Sequence, residues 1–491
     1  MLKWMRSGSP WIWLTAGMVS LNLLAVLGLL LMIGWKGLSY FWPAQVYQFD
    51  VDLADQRQTV LGEIYETSAV PRQQLLDAGY ALSGSDSPTI DRYLIKTGNR
   101  ELAALDFITL LDTQIRTKDI AHGAVVIERV RNGKFYGYPQ ALLYGLERRE
   151  ITTPDMLLTW LDHAIAERET LPDVQAVQQS QALLIQDAQG QVIRIPLTDI
   201  LDLWYPNDMS WHDKLMHWGS QVRHFVTDAP REANTEGGVF PAIFGTVLMV
   251  LLMSVIVTPL GVLAAIYLHE YAEQNRLTRL IRVAVINLAG VPSIVYGVFG
   301  LGFFVYMVGG TLDEIFFSDQ LPAPTFGTPG ILWSALTLAI LTLPVVIVST
   351  EEGLARIPPS IRHGSLALGA TQAETLWRIV LPMASPAIMT GLILAVARAA
   401  GEVAPLMLVG VVKMAPSLPI DAQFPYLHLD RKFMHLGYHI YDVGFQSPNV
   451  EAARPLVYAT SLLLVTVIVG LNLTAIGIRN HLREKFRELE Q

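Results

Sequence analysis

The stretch that decides the fold is residues 351–410, EEGLARIPPSIRHGSLALGATQAETLWRIVLPMASPAIMTGLILAVARAAGEVAPLMLVG. In it a polar segment, rich in signals for helix starts and ends, leads into a strongly apolar one. Thr371 and Glu374 have the spacing of a capping box, in which a hydroxyl and a carboxylate satisfy each other's free backbone N–H groups. Gly369 suits the left-handed conformation that ends a preceding short helix. The stretch therefore predicts two helices separated by a glycine turn.

Prolines mark the other boundaries of this stretch. Pro358 and Pro359 stand where a helix can begin without losing an internal hydrogen bond. Pro382 and Pro386 come after the second helix, directly ahead of an apolar run that is long enough to cross a membrane. We therefore expect a polar helical hairpin that leads into a membrane span beginning at Pro386.

The same residues carry a family resemblance. Gly369 is followed, after nine residues, by the pattern Ile-x-Leu-Pro at 379–382. This spacing resembles the cytoplasmic EAA-type coupling loop of ABC importer permeases, which begins with Glu-Ala-Ala. His-Gly-Ser stands there at 363–365, so a role of the family glutamate does not transfer to this chain. The run ARAAGEVAPL at 397–406 is similar to phosphate permeases of the PstA type.

The resemblance covers the first apolar stretch and the chain from Val239 onward. It implies a phosphate importer in which this chain pairs with a second homologous permease subunit, a dimer of ATPase subunits and an extracytoplasmic phosphate-binding protein. It also implies that the short helix around Gly369 docks on the ATPase. The residues that would make this contact are Ala367, Leu368, Gly369, Ala370, Thr371 and Glu374.

Composition places the chain in a membrane. Of its 491 residues 52% are hydrophobic and only 16% are charged, whereas soluble proteins carry about 25% charged residues. The net charge of −9 argues against a nucleic-acid partner, which would select a basic surface. The absence of cysteine excludes disulfides and thiol nucleophiles. The only Gly-Lys pair, Gly133-Lys134, lacks the spacing of a nucleotide-binding loop, so we expect no ATPase activity, no cofactor and no metal.

Six apolar stretches are long enough to span a bilayer. We expect the first to be retained, because aromatic residues follow it where a signal peptide would have a small-residue cleavage site. Glu270, at the end of the second, is interpreted as a polar residue at the interface. The predicted spans are 11–35, 239–268, 283–308, 330–349, 386–412 and 455–478.

The predicted fold is mainly α, a six-transmembrane-helix permease core with a large mixed α/β domain inserted between helices 1 and 2. Residues 1–44 hold the first helix, 45–235 the inserted domain, and 236–491 the other five helices with the coupling loop at 355–382. Lys and Arg cluster before the first span, after the second, in the coupling loop and after the sixth. The positive-inside rule therefore predicts an inner-membrane, multi-pass protein with both termini cytoplasmic and the inserted domain extracytoplasmic.

The inserted domain has its own secondary-structure signals. Asn132-Gly133 centres a predicted hairpin at 124–136, and Gly190 lies in the turn of a second one at 182–197. His122 and His163 have no metal-binding spacing. Apolar periodicity predicts helices at 73–82, 156–169 and 211–226.

Arg398 and Glu402 are the predicted substrate-pathway residues. Their spacing of four places both on one face of a helix, near the middle of the fifth span. Ionisable residues at that depth cost about 2.5–3.5 kcal/mol each, which favours a function. The guanidinium of Arg398 matches the oxygens of an oxyanion such as phosphate, and Glu402 would hold Arg398 when no anion is present. A self-neutralising structural pair is the alternative explanation.

Two other functions fit the sequence. One is a permease for another oxyanion, sulfate or molybdate, since Arg398 does not by itself distinguish these anions. The other is a phosphate-sensing membrane protein that no longer transports. The coupling pattern at 369–382 argues against a sensor, whereas the lost glutamate at His363 leaves that alternative open.

Overall fold

The computed structural model describes residues 9–53, 56–79, 87–99, 106–145, 147–170, 181–231, 234–320, 322–447 and 450–487. The chain forms two compact units. The first, the helical unit, comprises the chain up to Gly37, Val226–Asn234 and everything from Val239 onward. The second, the inserted unit, comprises Leu38–Phe225 and Thr235–Gly238.

The helical unit contains, within the described residues, six helices that by length and composition can cross a membrane: Trp11–Ser39, Phe240–Tyr271, Ser293–Phe316, Ile331–Ala355, Gln372–Gly401 and Ala453–Glu484. Shorter helices connect them. Its helices are α1 (Ser9–Ser39), α5 (Phe240–Ile266, continued by a π-helical turn Tyr267–Tyr271), α6 (Arg276–Leu288), α7 (Ser293–Phe299, continued by the π-helical Gly300–Gly309), α8 (Gly310–Phe316), α9 (Ile331–Ala355), α10 (Pro359–Ala367), α11 (Gln372–Thr375, then π-helical Leu376–Val380), α12 (Leu381–Gly401), α13 (Leu406–Val409), α14 (Leu436–Tyr441, then π-helical Asp442–Gln446) and α15 (Val450–Arg487).

The fold class is the predicted one, and two of the spans, the third and the fifth, differ clearly in their boundaries. The third predicted span began at Val283, but α6 ends at Leu288 and a new helix begins at Ser293. Pro292 explains the break, because proline lacks an N–H donor and its ring disfavours a helical conformation of the preceding residue. The long apolar helix that follows runs on to Phe316.

The fifth span differs at both ends. It begins at Gln372, because the helix continues through Pro382 and Pro386 instead of starting at the second of them. The π-helical turn directly before Pro382 shifts the hydrogen-bond pattern where proline supplies no N–H. The helix then ends at Gly401, eleven residues before the predicted end at Val412, and Glu402 is extended with φ −77° and ψ 134°.

The centre of the helical unit is the packing of α5, α9 and α12. Small residues allow close approach: a Cβ on Gly353 of α9 would lie 2.5 Å from the Cβ of Ala387 in α12. Further along, Gly391 faces Val346, and Ser349 donates to the carbonyl oxygen of Ala387 at 2.8 Å. These contacts make α9 and α12 antiparallel neighbours with a fixed register.

The segment between α12 and α14 folds back onto the start of α9. The backbone N–H groups of Gly330, Ile331 and Leu332 donate to carbonyl oxygens of Val409, Arg431 and Leu429, at 2.9–3.1 Å. The beginning of a helix leaves such donors without internal partners. This segment therefore supplies the cap that α9 lacks, since Gly330 at its N-cap has no side chain to do so.

The inserted unit contains two antiparallel sheets and three helices within the described residues. The first sheet has the order β4-β3-β2-β1-β5, and the second β10-β9-β7-β6-β11 with β8 beside β7. The elements, in chain order, are β1 (Val46–Leu53), β2 (Gln56–Pro71), α2 (Arg72–Asp77), β3 (Thr89–Lys96), β4 (Phe107–Leu111), β5 (Ile115–Ile120), β6 (Val125–Arg129), β7 (Lys134–Tyr144), β8 (Glu147–Glu150), α3 (Pro154–Thr170), β9 (Gln181–Gln186), β10 (Val192–Pro196), β11 (Ile200–Trp204) and α4 (Trp211–Thr227). Of two further two-residue strands, β12 (Pro230–Arg231) belongs to the helical unit and β13 (Glu236–Gly237) to the inserted unit.

Both predicted hairpins of this unit are confirmed. β6 pairs with β7 across Asn132-Gly133, both of which have φ near +65°, and β9 pairs with β10 across the turn at Gly190. The predicted helices at 156–169 and 211–226 are confirmed as α3 and α4. The predicted helix at 73–82 is the shorter α2, and residues 80–82 lie outside the described residues.

Candidate functional site

The coupling stretch folds as its local chemistry predicts. α10 starts at Pro359 after Pro358 and ends before Gly369, which has φ +92°. Thr371 then caps α11: its hydroxyl accepts from Glu374 N at 3.2 Å, and the Glu374 carboxylate accepts from Thr371 N at 2.9 Å. The glycine turn and the capping box are confirmed.

The surface of this turn is open. Leu368, at the end of α10, is 91% exposed. Gly369 has no atom near the place where a Cβ would lie. The predicted contact residues 367, 368, 369, 371 and 374 are all exposed, and Ala370 is half-buried. They form one accessible surface around a tight turn.

Behind this surface lie two polar contacts that the sequence interpretation missed. Arg362 of α10 donates to the carboxylate of Glu270 at 2.8 Å, and to the carbonyl oxygens of Leu354 and Ile357 at 3.0 Å. Ser365 and Thr375 share a buried hydroxyl–hydroxyl hydrogen bond of 2.8 Å. Glu270 and Arg362 are 92 residues apart, so no local pattern could have paired them.

The predicted pathway residues meet, but not on a continuous helix. Arg398 lies in the last turn of α12, and Glu402 is the first residue after the helix. Arg398 Nε lies 3.6 Å from Glu402 Oε1, and the two side chains are 33% and 20% exposed. The positive side chain therefore stands at a helix C-terminus, where the helix dipole favours a cation.

The register of α9 and α12 gives the depth of this pair. Gly391 lies against Ser349 and Val346, so in this antiparallel register Arg398, seven residues further along α12, comes level with residues 339–342 of α9. Ala339 is the ninth residue of α9, which has 25 residues. The helix break at Gly401 thus lies well inside the helical unit rather than at its edge. Backbone without helical hydrogen bonds at such depth occurs where it is covered by protein or lines a water-filled path.

The third span packs on the interrupted segment. A Cβ on Gly297 of α7 would lie 2.7 Å from Pro405 Cα, and one on Gly300 would lie 2.9 Å from Val409 Cγ1. Next to Gly297, Tyr296 is close enough to Arg398 for an electrostatic interaction. The residues that follow Glu402 are thereby held in place by two close glycine contacts.

A further polar cluster lies in the segment that caps α9 and in the helix after it. Lys413 Nζ lies 3.0 Å from the carboxylate of Asp442, whose side chain is almost fully buried. His439, also buried, faces the hydroxyl of Thr460 in α15 at 3.4 Å. The predictions gave these residues no role. The only signal in the sequence was the density of ionisable residues between Lys413 and Asp442, which is typical of an ordinary loop.

One surface loop near this cluster is held by charge. Asp421 accepts from Gln423 N at 2.9 Å and from Arg431 at 2.6 Å, and its other side-chain contact is His428 at 3.0 Å. The backbone hydrogen bond from Gln423, and after it the side-chain hydrogen bonds of Arg431 and His428, lower the pKa of Asp421 to about 2. The loop is therefore fixed by an ionised carboxylate over the whole physiological pH range.

Neither unit offers a recognisable metal centre in the residues that are described, since no three His, Asp or Glu side chains come together to hold an ion. In the inserted unit His217 Nδ1 lies 3.8 Å from Asp202 Oδ2. Burial, and after it the positive charge of Lys134, lowers the pKa of His217 to about 4. This imidazole is therefore neutral at pH 7.

Comparison with known proteins identifies relatives of the helical unit. Residues 257–488 match the family described as "Binding-protein-dependent transport system inner membrane component". The chain is 30% identical over 258 residues to the Probable ABC transporter permease protein YqgI of Bacillus subtilis, which covers 51% of this chain and 81% of that protein. The inserted unit lies before the matched residues.

Two further relatives are named for phosphate transport. Phosphate transport system permease protein PstA 1 of Mycobacterium tuberculosis is 34% identical over 244 residues, 50% of this chain and 70% of that protein. Phosphate transport system permease protein PstA of Yersinia pestis is 32% identical over 257 residues, 52% of this chain and 77% of that protein. The chain belongs to the family of binding-protein-dependent transport system inner membrane components, and it is the multi-pass permease component of an ABC transporter rather than its catalytic subunit.

Proposed function

We propose that this chain is a permease subunit of an ATP-driven phosphate importer. With a second, homologous permease it lines the path for inorganic phosphate, and an ATPase dimer and an extracytoplasmic phosphate-binding protein complete the transporter. Both termini face the cytoplasm in this proposal, and the domain at 45–235 faces the opposite side of the inner membrane.

The observation that carries the proposal is the position of Arg398 and Glu402 at an interrupted helix. A guanidinium at this depth stays charged at any working pH, and its planar fork matches the oxygens of an oxyanion. Its contact with Glu402 is 3.6 Å long, beyond ordinary hydrogen-bond distance, so Arg398 keeps donors for an arriving anion. Weak opposition by Glu402 also favours release, because a transported ion has to leave its site.

The exposed turn supports the energy-coupling half of the proposal. A permease without a nucleotide-binding loop needs a surface on which an ATPase can act. The turn at Gly369 offers Leu368 to such a partner, and Thr371 and Glu374 fix the geometry behind it. The relatives named for phosphate transport support phosphate over sulfate or molybdate as the substrate.

The test is uptake of radiolabelled phosphate in cells that lack this chain, with and without its restored gene, and with sulfate uptake measured alongside. We expect restoration to recover phosphate uptake and leave sulfate uptake unchanged. Recovery of sulfate uptake alone would show that the substrate is sulfate and not phosphate. If neither anion is taken up and the purified chain carries no ATPase, the sensor explanation gains support.

A further inference from the structure

Arg362 connects three helices at the base of the coupling turn. It projects from α10 and donates to the carbonyl oxygens of Leu354 and Ile357, at the end of α9. The last carbonyls of a helix have no internal partners, so Arg362 acts as the cap of α9. Its remaining bond, to the carboxylate of Glu270, reaches the π-helical end of the second span.

The Glu270–Arg362 ion pair is well shielded from water. Both side chains are 18% exposed, and Arg362 Nη2 lies 2.8 Å from Glu270 Oε1. A short, charge-assisted bond of this kind is stronger than an exposed ion pair. Separating α10 from the second span would leave each of these charges without its partner in a poorly hydrated place, which costs free energy. The pair therefore ties α10 to the second span more firmly than a surface contact would.

A separate contact ties α10 to the fifth span. Ser365 lies one helical turn after Arg362, and its hydroxyl meets that of Thr375 at 2.8 Å in a buried position. Thr375 lies in the first turn of the continuous helix that begins at Gln372 and leads through α12 to Arg398. A displacement of α10 consequently reaches the second and fourth spans through Arg362, and the fifth span through Ser365.

We propose that Glu270 is a positioning residue for energy coupling: through Arg362 it makes the second span move with the coupling turn when the ATPase pushes on that turn. The inference rests on the proposed function, because it takes the surface around Gly369 as the place where the ATPase acts. The family glutamate is missing at His363. The carboxylate of Glu270 contacts the same helix at the neighbouring residue, Arg362.

The experiment uses the assembled transporter in proteoliposomes. Glu270→Gln keeps an oxygen acceptor for Arg362 but removes the charge, and it leaves the contacts of Arg362 with α9 intact. The matched control is Glu273→Gln, which removes an exposed charge three residues later. We expect Glu270→Gln to assemble and hydrolyse ATP, and to raise the ATP consumed per phosphate imported by about fivefold or more, which is the factor that a coupling free energy of about 1 kcal/mol corresponds to. The control should match the parent.

A second readout does not depend on the substrate. The chain has no cysteine, so spin labels can be placed on Gln274→Cys and His363→Cys, both exposed positions. In the parent the distance between these labels should stay constant on ATP binding. In Glu270→Gln it should change, because α10 then moves without the second span.

The outcomes separate the two proposals. A parent-like ATP-to-phosphate ratio together with a constant label distance in Glu270→Gln would overturn the positioning role. If the parent imports no phosphate but the label distance depends on Glu270, the proposed substrate fails and the positioning role stands. If Glu270→Gln does not assemble, Glu270→Asp serves instead: its shorter carboxylate should give an intermediate ratio, and parent-like values overturn the role.

Discussion

Removal of both charges of the Arg398–Glu402 pair separates a pathway role from a structural one. The variants are Arg398→Gln, Arg398→Lys and the double change Arg398→Gln with Glu402→Gln. A structural pair is rescued by removing both charges, since no unpaired charge then remains. An anion contact is not rescued, because the guanidinium is absent in either case.

The structure sets the expected magnitudes. The contact is 3.6 Å long, beyond ordinary hydrogen-bond distance, and both side chains are partly exposed, so the attraction between the two charges should contribute no more than about 1 kcal/mol. Its loss should lower the melting temperature of the detergent-solubilised protein by no more than about 2–4 °C. A hydrogen bond to a charged group contributes about 1.5–3 kcal/mol, so loss of an anion contact should reduce transport about 10- to 150-fold.

The assay is the initial rate of phosphate uptake, normalised to the amount of permease in the membrane. We expect Arg398→Gln and the double variant to assemble and to fail in uptake by similar factors. Arg398→Lys should keep part of the activity, because a point charge still attracts the anion although the fork is lost. Arg279→Gln, which removes an exposed arginine of α6, is the control. Near-normal uptake in the double variant would refute the pathway role.

Three further predictions concern other parts of the chain. Gly369→Val forces a β-branched residue to φ +92°, so the permease should assemble but lose substrate-stimulated ATP hydrolysis; parent-level hydrolysis would exclude this turn as the coupling surface. A protease added outside the inner membrane should cut within 45–235 and spare 355–382, and the reverse pattern would invert the orientation. Because the pKa of His217 is about 4 in the folded protein, its imidazole takes up a proton at higher pH in the unfolded state than in the folded one. The free energy of unfolding should therefore fall as the pH decreases from about 6.5 towards 4. His217→Gln should remove this contribution, which reaches about 3 kcal/mol of unfolding free energy at pH 4. An unchanged dependence of the melting temperature on pH would contradict the prediction.

Local chemistry made part of the fold predictable. The capping box, the left-handed Gly369 and the Asn132-Gly133 hairpin depend on residues a few positions apart, and each was found as expected. The presence of six long apolar helices also follows from hydropathy alone. These features need no knowledge of which elements become neighbours.

The features that escaped prediction are contacts between distant parts of the chain. Apolar residues continue after Glu402, so hydropathy alone predicted a span to Val412, and only Pro405 hinted at an interruption. The partnership of Glu270 with Arg362 depends on the packing of two helices that sequence spacing cannot place together. Arg398 was predicted near the middle of a span that ends at Val412. Because α12 ends at Gly401, Arg398 lies instead in the last turn of the helix.

The cap of α9 also constrains the order in which the protein can be built. Ile331 N–H has its partner at Arg431 and Leu332 N–H at Leu429, about 100 residues later in the chain. During synthesis these donors have to stay in contact with water or the insertion machinery, because an unpaired N–H in hydrocarbon costs several kcal/mol. These two donors therefore gain their final partners only after the segment that follows the fifth span has been made, and a chain truncated before residue 429 should leave α9 open to proteolysis at its start.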